Sequence, residues 1–240
     1  MPTTTTADPL GKPVFLYDDC CPLCRGYTKT FTALGWAERA PFSTIDEATL
    51  ASLDMDRARH HIPLHDPNGA TRYGLDGILD VVEDEAVVLG RIGKHPLVRA
   101  LLDRLYWFIT YNRRHIITAA PPVDGIDCAP DFEPEPVAAY LGFCGAAATG
   151  LGLVSGMAAP VGAAGLAGVA LVARRDDTWD INAMEAAGHA GSVAVAAAGA
   201  GAVVRAATAN PRIALVTVVA TAARKLWLRR WMLTKRPTRD

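Results

Sequence analysis

The stretch PVFLYDDCCPLCRGYTKTFTALG, residues 13–35, decides how the N-terminal half folds. Val14 to Tyr17 form a short apolar run of β-formers, which predicts a buried strand over 13–17. Leu23, Tyr27, Phe31 and Leu34 then recur at helical spacing, so a helix is expected from Pro22 to about Gly35. Proline suits the first helical turn, where its missing N–H costs nothing. Between strand and helix lies Cys21-Pro22-Leu23-Cys24. That placement sets the first sulfur at a helix N-terminus, where the dipole and open backbone N–H groups favour the reactive thiolate. The second sulfur falls one turn further on, close enough to attack a mixed disulfide. Cys21 is thus the candidate nucleophile and Cys24 the candidate resolving thiol. Cys20 has the wrong spacing to Cys24 for either role. Asp18 is a candidate proton shuttle, or equally a capping or turn residue. Its charge opposes a neighbouring thiolate, against the pull of the helix terminus.

Outward from this core, residues 40–44 read as a second strand and 47–58 as one short amphipathic helix. Asp66-Pro67-Asn68-Gly69 is a strong turn signal between 61–65 and 70–73, which predicts a hairpin. Pro63 reads as a strand-start proline. Residues 74–82 and 97–117 predict helices, the second with Leu97, Leu101, Leu105, Phe108 and Ile109 as its apolar stripe. His60, His61 and His65 cluster, but ordinary packed or exposed histidines are the simpler reading than a metal site. Five prolines and an acidic run mark 119–136 as a linker.

The chain has 240 residues, 50% of them hydrophobic, and a formal net charge of −1. Mean hydropathy is +0.16. Such a chain has enough apolar material for a core and no global field suited to nucleic acid. The near-neutral total hides a split. Residues 1–136 hold 13 Lys and Arg against 20 Asp and Glu, whereas 137–240 hold 11 against 5. Five cysteines, three of them within five residues, do not resemble a secreted disulfide framework. The first twelve residues read as a disordered lead without a signal-peptide pattern. A reducing cytosol is therefore expected, where Cys-x-x-Cys is redox-active or metal-binding.

The segment resembles the DCC family of thiol–disulfide oxidoreductases, whose Asp-x-x-Cys-x-x-Cys signature corresponds to Asp18, Cys21 and Cys24. The likeness extends through GATRYGLDGILDVV (69–82) and LYWFITYNRRHII (105–117), including Asn112-Arg113, to Cys128 before Ala129-Pro130. It covers about residues 13–132. The resemblance implies an α/β thioredoxin-like fold over 13–118, with Cys21 and Cys24 as the redox pair. Two departures stand out: Asp19, where many relatives have Gly, and the extra thiol Cys20. Asn112 and Arg113 read as structural.

Beyond the linker the composition changes. Pro136 to Ala173 contains no charged residue and eight glycines, and 186–204 is a second uncharged stretch. A membrane helix needs roughly 20 apolar residues, and glycine lets such helices pack closely. Gly152-x-x-x-Gly156 has that spacing. An all-α transmembrane region is expected over 137–240, with two to four spans (137–157, 160–173, 184–204 and 211–228) and a chain break near Pro160. The basic tail from Arg224 to Arg239, with Trp227 and Trp231, then falls on the cytoplasmic side with Arg174 and Arg175, as the positive-inside rule requires. Cys144 reads as a small packing residue.

The expected function is a membrane-tethered thiol–disulfide oxidoreductase whose redox domain faces the cytoplasm. Its partners would be a protein or small-molecule thiol or disulfide and a membrane, not nucleic acid. The sequence carries no nucleotide, flavin or haem signature, so no cofactor or resident metal is expected. The alternative is a non-catalytic zinc-binding or structural module on a helical anchor, with Cys20, Cys128 or a His completing the ligand set.

Overall fold

The computed structural model describes residues 11–117, 130–163, 165 and 183–233, with side chains up to 229. Cys128 and most of 160–173 therefore lie outside the described residues. The chain divides into two compact units. The first comprises residues 1–111 and 121–131, and the second 112–120 and 132–240.

In the first unit, β1 (Val14–Tyr17) runs into α1 (Pro22–Ala33), and β2 (Glu38–Pro41), β3 (Pro63–His65) and β4 (Thr71–Tyr73) complete a mixed sheet of order β2-β1-β3-β4. β1 pairs parallel with β2 and antiparallel with β3, and β3 pairs antiparallel with β4. A small mixed sheet of this kind, with helices, is consistent with a thioredoxin-like fold. The alternation of a strand explains the core. Phe15 and Tyr17 pack on one face with Tyr27, Phe31, Ile78 and Val81, while Leu16 packs on the other with Ala40, Phe42, Leu53 and Ala58. Phe15 and Leu64 are fully buried, and each such side chain contributes about 1.5–3 kcal/mol by leaving water.

Several local expectations change. The second strand ends at Pro41, and Phe42–Thr44 form a 3₁₀ turn that buries Phe42. The helix expected over 47–58 is two helices, α2 (Glu47–Ser52) and α3 (Met55–His60). Asp46 caps the first by accepting from the Thr49 N–H at 2.8 Å, and Asp54 starts the second by accepting from the Arg57 N–H at 3.0 Å. The hairpin forms around Asp66–Gly69, and Pro63 starts β3. After α4 (Leu75–Glu85) comes a helix with no counterpart in the sequence reading, α5 (Val87–Lys94).

The expected core stripe of α6 (Pro96–Ile116) is turned outward: Leu97, Leu101, Leu105 and Ile109 are exposed. The helix is held through its other side, where the Tyr106 hydroxyl accepts from the Ile62 N–H at 3.3 Å and its ring stacks on His61. α5 likewise docks by its small residues. A Cβ on Gly90 would overlap the Glu83 backbone, and one on Gly93 would lie 2.7 Å from Leu79 Cδ2. Gly90→Val must lift α5 off α4 and is expected to cost about 1–3 kcal/mol in chemical denaturation. Gly26→Ala, in open space on α1, should be neutral or slightly stabilising in the same experiment.

The second unit is helical: α7 (Pro134–Ser155), α8 (Ala183–Thr208), α9 (Pro211–Leu233), a short helical piece at 158–163 and the end of α6. α7 begins inside the Pro-rich 119–136 stretch. It stops at Gly156, not near Pro160. Gly156 adopts φ 69°, a left-handed conformation that closes the helix while the Met157 N–H bonds to Gly152 O at 2.7 Å. Gly156 thus serves as a helix stop within its own turn, and a Cβ on Gly152 would lie 3.0 Å from Ala158 Cα, a close approach across that same turn. The close helix approaches lie elsewhere, at Gly191 against Cys144 and Gly201 against Val218. α7 and α8 are long and apolar enough to cross a membrane.

A buried polar cluster also ties this unit together. Arg229 Nη2 and the Ser192 hydroxyl both donate to the His115 carbonyl, the first at 2.8 Å. Tyr140 bonds Ser192, Arg229 Nη1 meets His189 Nδ1, and Asn112 Nδ2 donates to Pro136 O at 2.9 Å. Asn112 is structural, as expected. Arg229, counted above with the basic tail, is only 5% exposed.

Candidate active site

The site is built on the β1–α1 junction. β1 ends at Tyr17, and Asp18 turns the chain: its Oδ1 accepts from the Cys20 N–H at 2.7 Å and its carbonyl from the Cys21 N–H at 3.1 Å. Asp18 is itself buried. This side-chain-supported turn delivers Cys21 to the N-cap of α1, with φ −90° and ψ 109°, and Pro22 fills the first helical position.

At the N-cap, Cys21 Sγ accepts a hydrogen bond from the Cys24 N–H at 3.4 Å. An open amide at a helix start, aimed at sulfur, is what stabilises a thiolate. Cys21 is half-buried, whereas Cys24, one turn in, is buried at 5% exposure. The Thr28 hydroxyl bonds the Cys24 carbonyl at 2.7 Å and fixes that turn.

Cys20 has a different environment. Its sulfur and one carboxylate oxygen each from Asp18 and Asp19 lie within 4.8 Å of one another, and two carboxylates disfavour an anionic sulfur. Asp19 stands where glycine was noted in relatives, but no left-handed backbone is needed there. Its carboxylate instead accepts from the Ser43 hydroxyl at 2.9 Å, linking the turn to the segment after β2. Nothing local in the sequence singles out Ser43, because 24 positions separate the partners.

Asp18, Asp19 and Cys20 form the one group of three potential metal-ligating side chains among the described residues. His65 bonds Thr71 Oγ1 at 3.1 Å, and His60 and His61 pack against Tyr111 and Tyr106. Cys144 lies in the second unit, buried at 3% exposure, with a Cβ on Gly191 falling 3.2 Å from its sulfur. Cys144→Ala is expected to leave disulfide turnover within about twofold, since packing is its task. A larger loss at constant protein level would give that sulfur a redox role.

A Cys-x-x-Cys at a helix N-terminus, on a mixed sheet consistent with a thioredoxin-like fold, is the arrangement thiol–disulfide proteins use. Residues 15–119 match the family of DCC1-like thiol-disulfide oxidoreductases. The match supports a redox role and stops short of the long helices of the second unit. No curated protein and no solved structure matches the chain.

Proposed function

We propose that this protein is a thiol–disulfide oxidoreductase working through Cys21 and Cys24, held at a membrane by its second unit. The observation that carries the redox reading is the Cys24 N–H bond to an accessible Cys21 sulfur at the start of α1. The Cys21 thiolate attacks one sulfur of a substrate disulfide, forming a mixed disulfide and releasing one substrate thiolate. Cys24, deprotonated, then attacks Cys21 Sγ, releases the second substrate thiolate and leaves a Cys21–Cys24 disulfide. Two electrons pass to the substrate, and an external dithiol restores the pair. Run backwards, the same steps oxidise a substrate dithiol. Asp18 holds the turn and passes protons near the thiols. The substrate class is a protein or small-molecule disulfide or thiol. The test is reduction of a protein disulfide by the full chain with dithiothreitol as donor. Turnover above the uncatalysed rate is expected, and none would refute the reading.

The membrane reading rests on α7 and α8, each as long and apolar as a bilayer span. With these two helices as the spans, the eight Lys and Arg after residue 208 fall on the redox unit's side and Arg174 and Arg175 on the other, a balance that supports a cytoplasmic redox unit. The protein is expected to stay in the membrane fraction after an alkaline carbonate wash and to need detergent for release. Recovery in the supernatant would overturn the tether.

A further inference from the structure

Among the described residues, the redox unit presents a large exposed apolar face. α5 docks on α4 through Gly90 and Gly93 and so turns Val88, Leu89 and Ile92 to solvent. α6 continues the face with Leu97, Leu101 and Leu105, spaced four residues apart on one side of the helix. Val88 is 71% exposed, Leu97 78% and Leu101 67%. An apolar patch of this extent marks an interaction surface.

Its surroundings state what kind. Most of the first unit is acidic, but residues 87–111 carry Arg91, Lys94, Arg99 and Arg104 against Asp103 alone. Lys94 is engaged by Asp80 and Glu83, and Arg99 by Asp76 and Asp103. Arg91 and Arg104 have no ion pair among the described residues, and both are exposed. Arg91 neighbours Ile92, and Arg104 lies one turn from Leu101, with half-buried Trp107 a further turn on. An exposed apolar stripe edged by arginine, with tryptophan beside it, is the pattern of a helix lying in a bilayer interface. A second copy is the poorer fit, because a two-fold contact would set the basic edge of one protomer against that of the other.

We propose that the α5–α6 face docks on an anionic lipid surface, so that the redox unit itself lies against the membrane. The docking requires no helix to cross the bilayer. It is therefore separable from the tether.

The test is photo-crosslinking of the full chain in nanodiscs of phosphatidylcholine, with or without phosphatidylglycerol. A benzophenone amino acid is placed at position 101, at exposed Glu85 on acidic α4, or at exposed Val154 on α7. Lipid adducts at 101 should exceed those at 85 several-fold in the anionic discs and fall when the anionic lipid is omitted. Arg91→Glu combined with Arg104→Glu should lower them as far. Adducts at 101 no greater than at 85, or mainly to another protein chain, would overturn the proposal. Position 154 reports on the tether alone: lipid adducts there with none at 101 would leave the tether standing and remove the docking face.

Discussion

Cys21→Ser is expected to lower disulfide turnover on the order of 10³-fold or more, because a hydroxyl at that position cannot supply the attacking anion. Cys24→Ser should behave differently. The first attack still occurs, but nothing resolves it, so a mixed disulfide between Cys21 and the substrate accumulates and can be isolated on a non-reducing gel. Cys20→Ser should retain turnover within a few-fold, since two carboxylates crowd that sulfur while the Cys24 N–H serves Cys21. The reverse pattern, with Cys20 essential and Cys21 dispensable, would contradict the assignment. The protein captured by Cys24→Ser would also identify the substrate.

Acid should loosen the second unit through His115. Burial, followed by the nearby charges of Arg229 and Arg114, lowers this histidine to about 4. An unfolded chain titrates its histidines near 6.5. Between these values the unfolded chain binds a proton that the folded one does not, so stability is full above about pH 6.5 and declines toward pH 4. The integrated loss is about 3 kcal/mol. It reads out as a lower unfolding midpoint at pH 4.5 than at pH 7.5, followed by helix circular dichroism of the full chain in detergent. Acid also protonates the carboxylates of the chain, so the comparison is with His115→Gln. That variant should show a clearly shallower pH dependence. An equal slope in both proteins would show that His115 is not the group.

The strand–turn–helix frame of the candidate site was largely legible in the sequence. A strand, a Cys-x-x-Cys and a helix opened by proline are consecutive, and each is specified by residues within a turn or two. β1, α1 and the hairpin follow the expected bounds within about two residues. What failed was any inference that needed to know which face meets a neighbour. The Leu97–Leu105 stripe has the periodicity of a core face, yet Tyr106 and the glycine docking of α5 decide the packing. Periodicity reports that a helix is amphipathic and not what its apolar side meets. The two Asx caps that split 47–58 are likewise local competitions that apolar spacing does not register. The Arg229–His115–Ser192 cluster joins residues up to 114 positions apart, and only the fold brings them together.

The central claim is that Cys21 and Cys24 form one two-electron couple. The most direct measurement equilibrates the full chain in dithiothreitol buffers of graded potential, alkylates the remaining thiols and locates disulfides by peptide mass spectrometry, with zinc determined on the same sample. A single Cys21–Cys24 disulfide is expected to appear and disappear along a two-electron Nernst curve. Stoichiometric zinc with both sulfurs unalkylated at reducing potentials, and no such disulfide at oxidising ones, would contradict it.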